Sequence, residues 1–258
     1  MPALLGVAMA AAAACTDVPS SPDEPFSIGF ERLPFPAVVA GDLLRDSTGE
    51  IAPLGAVAFN TDQEPIEGFP VEYVFIGDAA GLEPGDRVRG VVENDTVRIT
   101  AFANGIPSLP QTLWVVPRPD SLVNGAQPAD ITYGLPASAA DTSGRIADTL
   151  LATTGQTAPA PVRAWIVRYR IVVDGDTLDP NDQTLAFIVD DAGRPSPLDT
   201  TDAAGAVARK VRVNAFAGEA LAAIESLVVS VTVEGVTTPP RGAPRQVTIP
   251  VRPRPPAP

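Results

Sequence analysis

A chain of 258 residues with 29 prolines, 21 glycines, no histidine and one cysteine excludes an architecture of long helices, because each interior proline removes a backbone donor and clashes with the preceding turn. It also excludes an internal disulfide, a thiolate metal site and any histidine general base, so a metal site would have to use oxygen ligands, with calcium the natural ion. The 31 acidic residues against 18 basic give a net charge of −13, a field that repels phosphate polymers, and nucleic acid is therefore not expected as a partner.

At the N-terminus, Leu4 to Ala14 is an uncharged apolar run with the length of a signal-peptide core, too short to span a bilayer as a helix. Residues 1–14 are read as a signal peptide. The "AAAC" that ends at Cys15 resembles the lipobox of bacterial lipoproteins, in which small residues precede a cysteine that is diacylated on sulfur and becomes the first residue after cleavage. Ala12 stands where that family usually has leucine, and no Lys or Arg precedes Cys15. The alternative is an incidental cysteine beside an Ala-x-Ala-like cleavage site. The resemblance implies a covalent lipid at Cys15 and a membrane as partner through that anchor. Thr16, in place of the aspartate that retains lipoproteins at the inner membrane of some diderm bacteria, implies outer-membrane or cell-surface placement. "TDVPSSPDEP" is polar and proline-rich, so residues 15–27 read as lipidated cysteine and flexible tether.

Length alone leaves one or two domains open, but an internal repeat favours two. "PIEGFPVEYVFIGDAAGLEPGD" from Pro65 aligns without a gap on "PVRAWIVRYRIVVDGDTLDPND" from Pro161, matching Phe69 with Trp165, Val71 with Val167 and Tyr73 with Tyr169. Further on, "VRITAFA" at Val97 matches "VRVNAFA" at Val211. Val97 lies 32 residues after Pro65 and Val211 lies 50 after Pro161, so the second copy holds 18 more residues, including "DDAGRPSPLDTTDAAG". The expected units are domain 1 at 28–117, a linker at 118–128, domain 2 at 129–252 and a Pro-rich tail at 253–258.

In both copies the hydrophobic period is two. Phe69, Val71, Tyr73 and Phe75 share one strand face, as do Trp165, Val167, Tyr169 and Ile171, and these faces are predicted to be core. Further strands are expected at "GAVAFNT", "TVRITAFA" and "QTLWVVP", then at "TLLATT", "TLAFIVD", "AVARKVRVNA", "SLVVSVTVEG" and "RQVTIPV". "AGEALAAIES" reads as a short helix. Many short strands separated by Gly, Pro and Asp turns predict an all-β fold of two tandem immunoglobulin-like sandwiches. On "PLGAVAFNTDQEPIEGFPVEYVF" and "TTDAAGAVARKVRV", the chain resembles bacterial Ig-like domains of the invasin and intimin type. That family occurs as tandem modules on bacterial surfaces.

Asp174, Asp176, Asp179 and Asp182 in "DGDTLDPND" are the candidate calcium ligands, since closely spaced carboxylates can gather oxygens around the ion. Their spacing lacks the EF-hand register, and the alternative is a solvated hairpin turn. The insertion is expected to be a spacer or a binding loop. Trp114 and Trp165 are predicted to pack in the core, and Arg163, Arg168 and Arg170 to line an outer strand face. No catalytic constellation is recognised, and the single lysine, Lys210, has no serine partner motif. The sequence therefore predicts a non-enzymatic, membrane-anchored lipoprotein, whose Ig-like domains act as spacers and as interaction modules for a protein or glycan. A calcium-dependent adhesive or carbohydrate-binding module is the alternative.

Overall fold

The computed structural model describes residues 23–30, 32–133, 143–152 and 159–253. The expected signal peptide, Cys15 and most of the tether lie outside them. The first nine strands are β1 Ser27–Gly29, β2 Ala37–Val39, β3 Val57–Phe59, β4 Glu72–Ile76, β5 Ala80–Glu83, β6 Arg87–Gly90, β7 Asp95–Ala103, β8 Ile106–Pro107 and β9 Gln111–Val116. Then come β10 Ser121–Asn124, β11 Ile131–Tyr133, β12 Ser143–Ala152, β13 Ala160–Pro161, β14 Ile166–Val173, β15 Asp176–Thr177, β16 Ala186–Val189, β17 Leu198–Thr200 and β18 Ala206–Val213. A 3-10 turn at Ala215–Ala217 and the one helix among the described residues, α1 Gly218–Ala222, precede β19 Ser226–Val233 and β20 Arg245–Pro253.

No sheet mixes strands from β1–β9 with strands from β10–β20, so the chain forms two all-β halves. In the C-terminal half, one sheet runs β10-β12-β18-β16 and the other β11-β20-β19-β14-β15, with β17 also on β14. Strict alternation buries one face of each strand. Ile146 and Leu150 of β12 and Val211 of β18 are buried, as are Val167, Tyr169 and Ile171 of β14, Val229 of β19 and Ile249 of β20. This is an immunoglobulin-like sandwich. Ser121–Asn124, inside the stretch read as linker, is its edge strand β10, paired with β12.

The N-terminal half has a sheet of order β2-β9-β7-β4. It repeats β11-β20-β19-β14, down to the parallel first pair: β2 runs parallel to β9 as β11 does to β20. β4 thus occupies the place of β14, in accord with the first sequence match. The second match does not carry over. "VRITAFA" lies in β7, the counterpart of β19, whereas "VRVNAFA" ends β18 in the opposite sheet and continues into the 3-10 turn. Alternation encodes a half-buried strand but not its partner, so two strands of different sheets can share a pattern. The rest of this half is two separate pairs, β1 with β3 and β5 with β6. Because β4 ends its sheet, Val71, Tyr73 and Phe75 pack on the core yet stay partly exposed, unlike their buried counterparts on β14.

Candidate functional site

The acidic loops are built from one recurring turn. In Asp46–Glu50 the Asp46 N–H donates to the Glu50 carbonyl (2.9 Å) and the Gly49 N–H to the Asp46 carbonyl (3.1 Å), while Asp46 Oδ1 accepts the N–H groups of Thr48 (2.9 Å) and Glu50 (3.1 Å). Asn60–Glu64, Asp190–Arg194 and Asp202–Ala206 repeat the backbone pair. In each, the first side chain also caps the fifth residue's N–H, at 2.9 Å. The fourth residue takes a left-handed backbone, with φ of 93° at Gly49, 63° at Gln63, 79° at Gly193 and 71° at Gly205. Short polar side chains that bond their own turn favour this geometry, and glycine accepts the positive φ. The capping bonds hold Asp46 below the ordinary carboxylate value, led by the Thr48 hydroxyl. Asp190 is held down by the Arg194 N–H.

Of the four proposed calcium ligands, two cap local turns and two sit at a strand reversal. Asp174 (φ 52°) and Gly175 (φ 93°) make the reversal between β14 and β15, where Val173 faces Asp176. Asp179 accepts the Asn181 N–H at 2.8 Å and Asp182 accepts the Thr184 N–H at 2.8 Å. Among the described residues no group of three or more acidic side chains is arranged to hold a metal ion. The insertion is not a loose spacer: β17 pairs with β14, and Asp199 bridges to Arg209 at 2.8 Å. Lys210 pairs with Asp191 at 3.3 Å.

Arg168 and Arg170 lie on the outer face of β14 as expected, Arg168 bonded to Glu234 at 2.9 Å. Trp165 packs in the core as expected, whereas Trp114 departs from expectation. Trp165 is buried, but its ring meets Phe35 of the N-terminal half, centroids 4.9 Å apart and tilted by 58°, and its indole N–H donates to the Glu234 carbonyl at 2.8 Å. Trp114 is on the outer face of β9, only half-buried, and the Arg163 guanidinium of the C-terminal half covers it at 3.5 Å from the ring centroid. Both therefore mark the seam between the halves. The Gly235 N–H donates to the Ser47 carbonyl at 3.0 Å, and a Cβ on Gly49 would come within 2.9 Å of the Val236 carbonyl oxygen. The Asp46 turn thus nests against the loop after β19. Alternation cannot distinguish a core tryptophan from a seam tryptophan. The glycines of "DSTGE" and "VEGVTT" are the one local signal of such an approach.

Beside the seam, a cleft of about 300 Å³ is lined by Asp42, Arg45, Arg118, Trp165, Thr237 and Arg241 among others. Arg118 and Arg45 both reach Asp42, at 3.1 and 3.3 Å. Partial burial works against the Asp42 charge, but the bonds from the Leu43 N–H and Arg45 outweigh it and keep the carboxyl below its ordinary value. The cleft thus partly neutralises its own charge. Inside the C-terminal sandwich, Asp148 of β12 is ion-paired with Arg245 of β20, which also bonds Gln127 at 3.1 Å. With 0% of its side chain exposed, Asp148 ties the two sheets together and is closed to any substrate.

No protein-family model matches the chain, and no curated protein matches it. Among solved structures it is similar to the adhesin InvE of Yersinia pseudotuberculosis, at 12% identity over 84% of this chain and 56% of that one, TM-score 0.34. It is also similar to domains 5–6 of the S-layer protein SbsC, at 12% identity over 89% and 97% of the two chains, TM-score 0.28. A β-glycosidase from Bacteroides vulgatus is similar at 11% identity over 81% of this chain and 24% of that one, TM-score 0.30. The chain spans little more than half the length of the adhesin. These scores are too low to bear on activity, and the Ig-like assignment rests on the sheet order above.

Proposed function

We propose that this chain is an exported, lipid-anchored surface module, non-enzymatic, whose two Ig-like halves hold an interaction surface at a fixed distance and orientation from a membrane. The observation that carries the proposal is the seam. Contacts between domains of one chain ordinarily leave relative motion free unless they are extensive and apolar. Here a buried ring pair, a backbone hydrogen bond and a guanidinium over an indole join the halves, which suits a stiff spacer. Cys15, in its lipobox-like setting, supplies the anchor, with outer-membrane or cell-surface placement. Exposed loops and sheet edges supply the contacts to a protein or glycan. Feeding labelled palmitate to bacteria that express the full chain is expected to label it, with the label lost in Cys15→Ala. An unlabelled chain, or label that survives the substitution, overturns the anchor.

A further inference from the structure

β4 is the last strand of its sheet, and its one strand partner is β7. Neither a further strand nor an isolated bridge pairs with Glu72–Ile76 on the other side among the described residues. Its counterpart in the C-terminal half is protected: β17 pairs with Ile166–Arg168 and β15 with Val172–Val173 of β14. β17 comes from the insertion, which the N-terminal half lacks. An open edge is a row of unpaired donors and acceptors, and proteins that must avoid strand addition usually guard it with lysine, proline or a bulge. β4 instead presents Val74 at 45% and Ile76 at 62% exposure, with Glu72 its single charge.

We propose that β4 pairs antiparallel with β4 of a second copy of this chain, about a twofold axis at Val74, so that two sheets become one across the joint. A twofold interface must be self-complementary, and this strand is. With Val74 opposite Val74, Glu72 of each copy falls opposite Ile76 of the other. Within one copy, β7 sets Phe102 beside Glu72, Thr100 beside Val74 and Arg98 beside Ile76. Each outer row of the joined face then reads Arg98, Ile76, Glu72, Phe102, with the joint between Ile76 and Glu72. Arg98 and Glu72 are exposed, and neither has an ion-pair partner among the described residues. Across two strand spacings of about 4.8 Å each, their long side chains can meet over Ile76. Pairing would thus cover two exposed aliphatic side chains per copy and give two unpartnered charges their opposites. The proposal goes beyond the anchor and does not depend on it.

The test uses the full chain with Cys15→Ala, which leaves no thiol, so that Val74→Cys introduces the only one. Directly opposed residues of an antiparallel pair lie within disulfide reach. Mild oxidation is expected to link Val74→Cys to itself, while Leu109→Cys, at a more exposed site (81%), stays monomeric. In sedimentation equilibrium, Val74→Lys, Glu72→Arg and Arg98→Glu are each expected to weaken the dimer about tenfold, and Glu72→Arg with Arg98→Glu to restore it. A chain that is monomeric at every concentration overturns the pairing. So does a dimer indifferent to Val74→Lys, or equal crosslinking through Leu109→Cys. All these outcomes are read without acylation, so they leave the palmitate result to stand or fall separately.

Discussion

The two halves share one sheet order but solve the second layer differently. The C-terminal half closes it with long strands, β12 and β18 paired over seven residues, and fixes the sheets to each other through Asp148 and Arg245. The N-terminal half places two short pairs, β1 with β3 and β5 with β6, where its counterpart has a continuous sheet, and it leaves β4 open. The shared sheet is enough to define the fold, while the second layer sets how much of each half is buried and which edges remain available. Stability is therefore expected to concentrate in the C-terminal half and association in the N-terminal one.

The largest effect on that contrast is expected from Trp165→Ala, which empties a buried ring site and removes the contact with Phe35. It should lower stability by about 3–5 kcal/mol and split denaturant unfolding into two transitions, read by circular dichroism. Arg245→Met leaves the Asp148 carboxylate buried without its partner. Made on the Trp165→Ala background, it is expected to cost about 3 kcal/mol in the C-terminal transition alone, with most of the loss recovered when Asp148→Asn is added. Gly49→Ala combines a positive φ with a clash against Val236 and should lower stability by about 1–3 kcal/mol. Gly68→Ala, with the same backbone handedness but open space around it, should be milder.

Acid should weaken the halves unequally. Burial holds Asp148 above its ordinary value of 3.8 although Arg245 opposes the shift. The folded state thus binds that proton more tightly, and the contribution of Asp148 is full below 3.8 and fades as pH rises through the raised value. In the N-terminal half, Asp46 is held down by Thr48, Glu83 by Arg89 and Asp42 by Leu43 and Arg45 against partial burial. Their contributions are present above the unfolded values and are lost as pH falls below them. In the C-terminal half Asp182 and Asp190 are held down in the same way by the Thr184 and Arg194 N–H groups, but the raised Asp148 opposes them, so thermal melts of Trp165→Ala at about pH 3 should show the N-terminal transition moving further than the C-terminal one. The smallest effect is expected from calcium: because Asp174, Asp176, Asp179 and Asp182 form no group arranged to hold an ion, adding calcium or a chelator should leave thermal unfolding unmoved.

The strands were legible because burying one face imposes a period of two, and "AWIVRYRIVV" keeps it through β14 with Val167, Tyr169 and Ile171 all inside. Strand partners were not. Period two is the same in β7 and β18, and only long-range packing decides which sheet each joins. The acidic quartet was ambiguous for a similar reason. Spacing in "DGDTLDPND" suits a metal loop and a pair of capped turns equally, and backbone N–H groups only a few residues away are the nearer partners. The seam was illegible for a third reason, since the exposed or buried state of Trp114 and Trp165 depends on surfaces far away in the chain.

In both halves an early strand runs parallel to the last one, β2 with β9 and β11 with β20. When the two strands of such a pair are drawn apart along their length, they slide along each other, so the bonds of the pair are loaded together. An antiparallel hairpin pulled from its open end would instead unzip bond by bond. Under tension along the chain, such a pair is a latch that resists drag. Its strength is set by the rate of forced unfolding and not by the equilibrium stability of the fold.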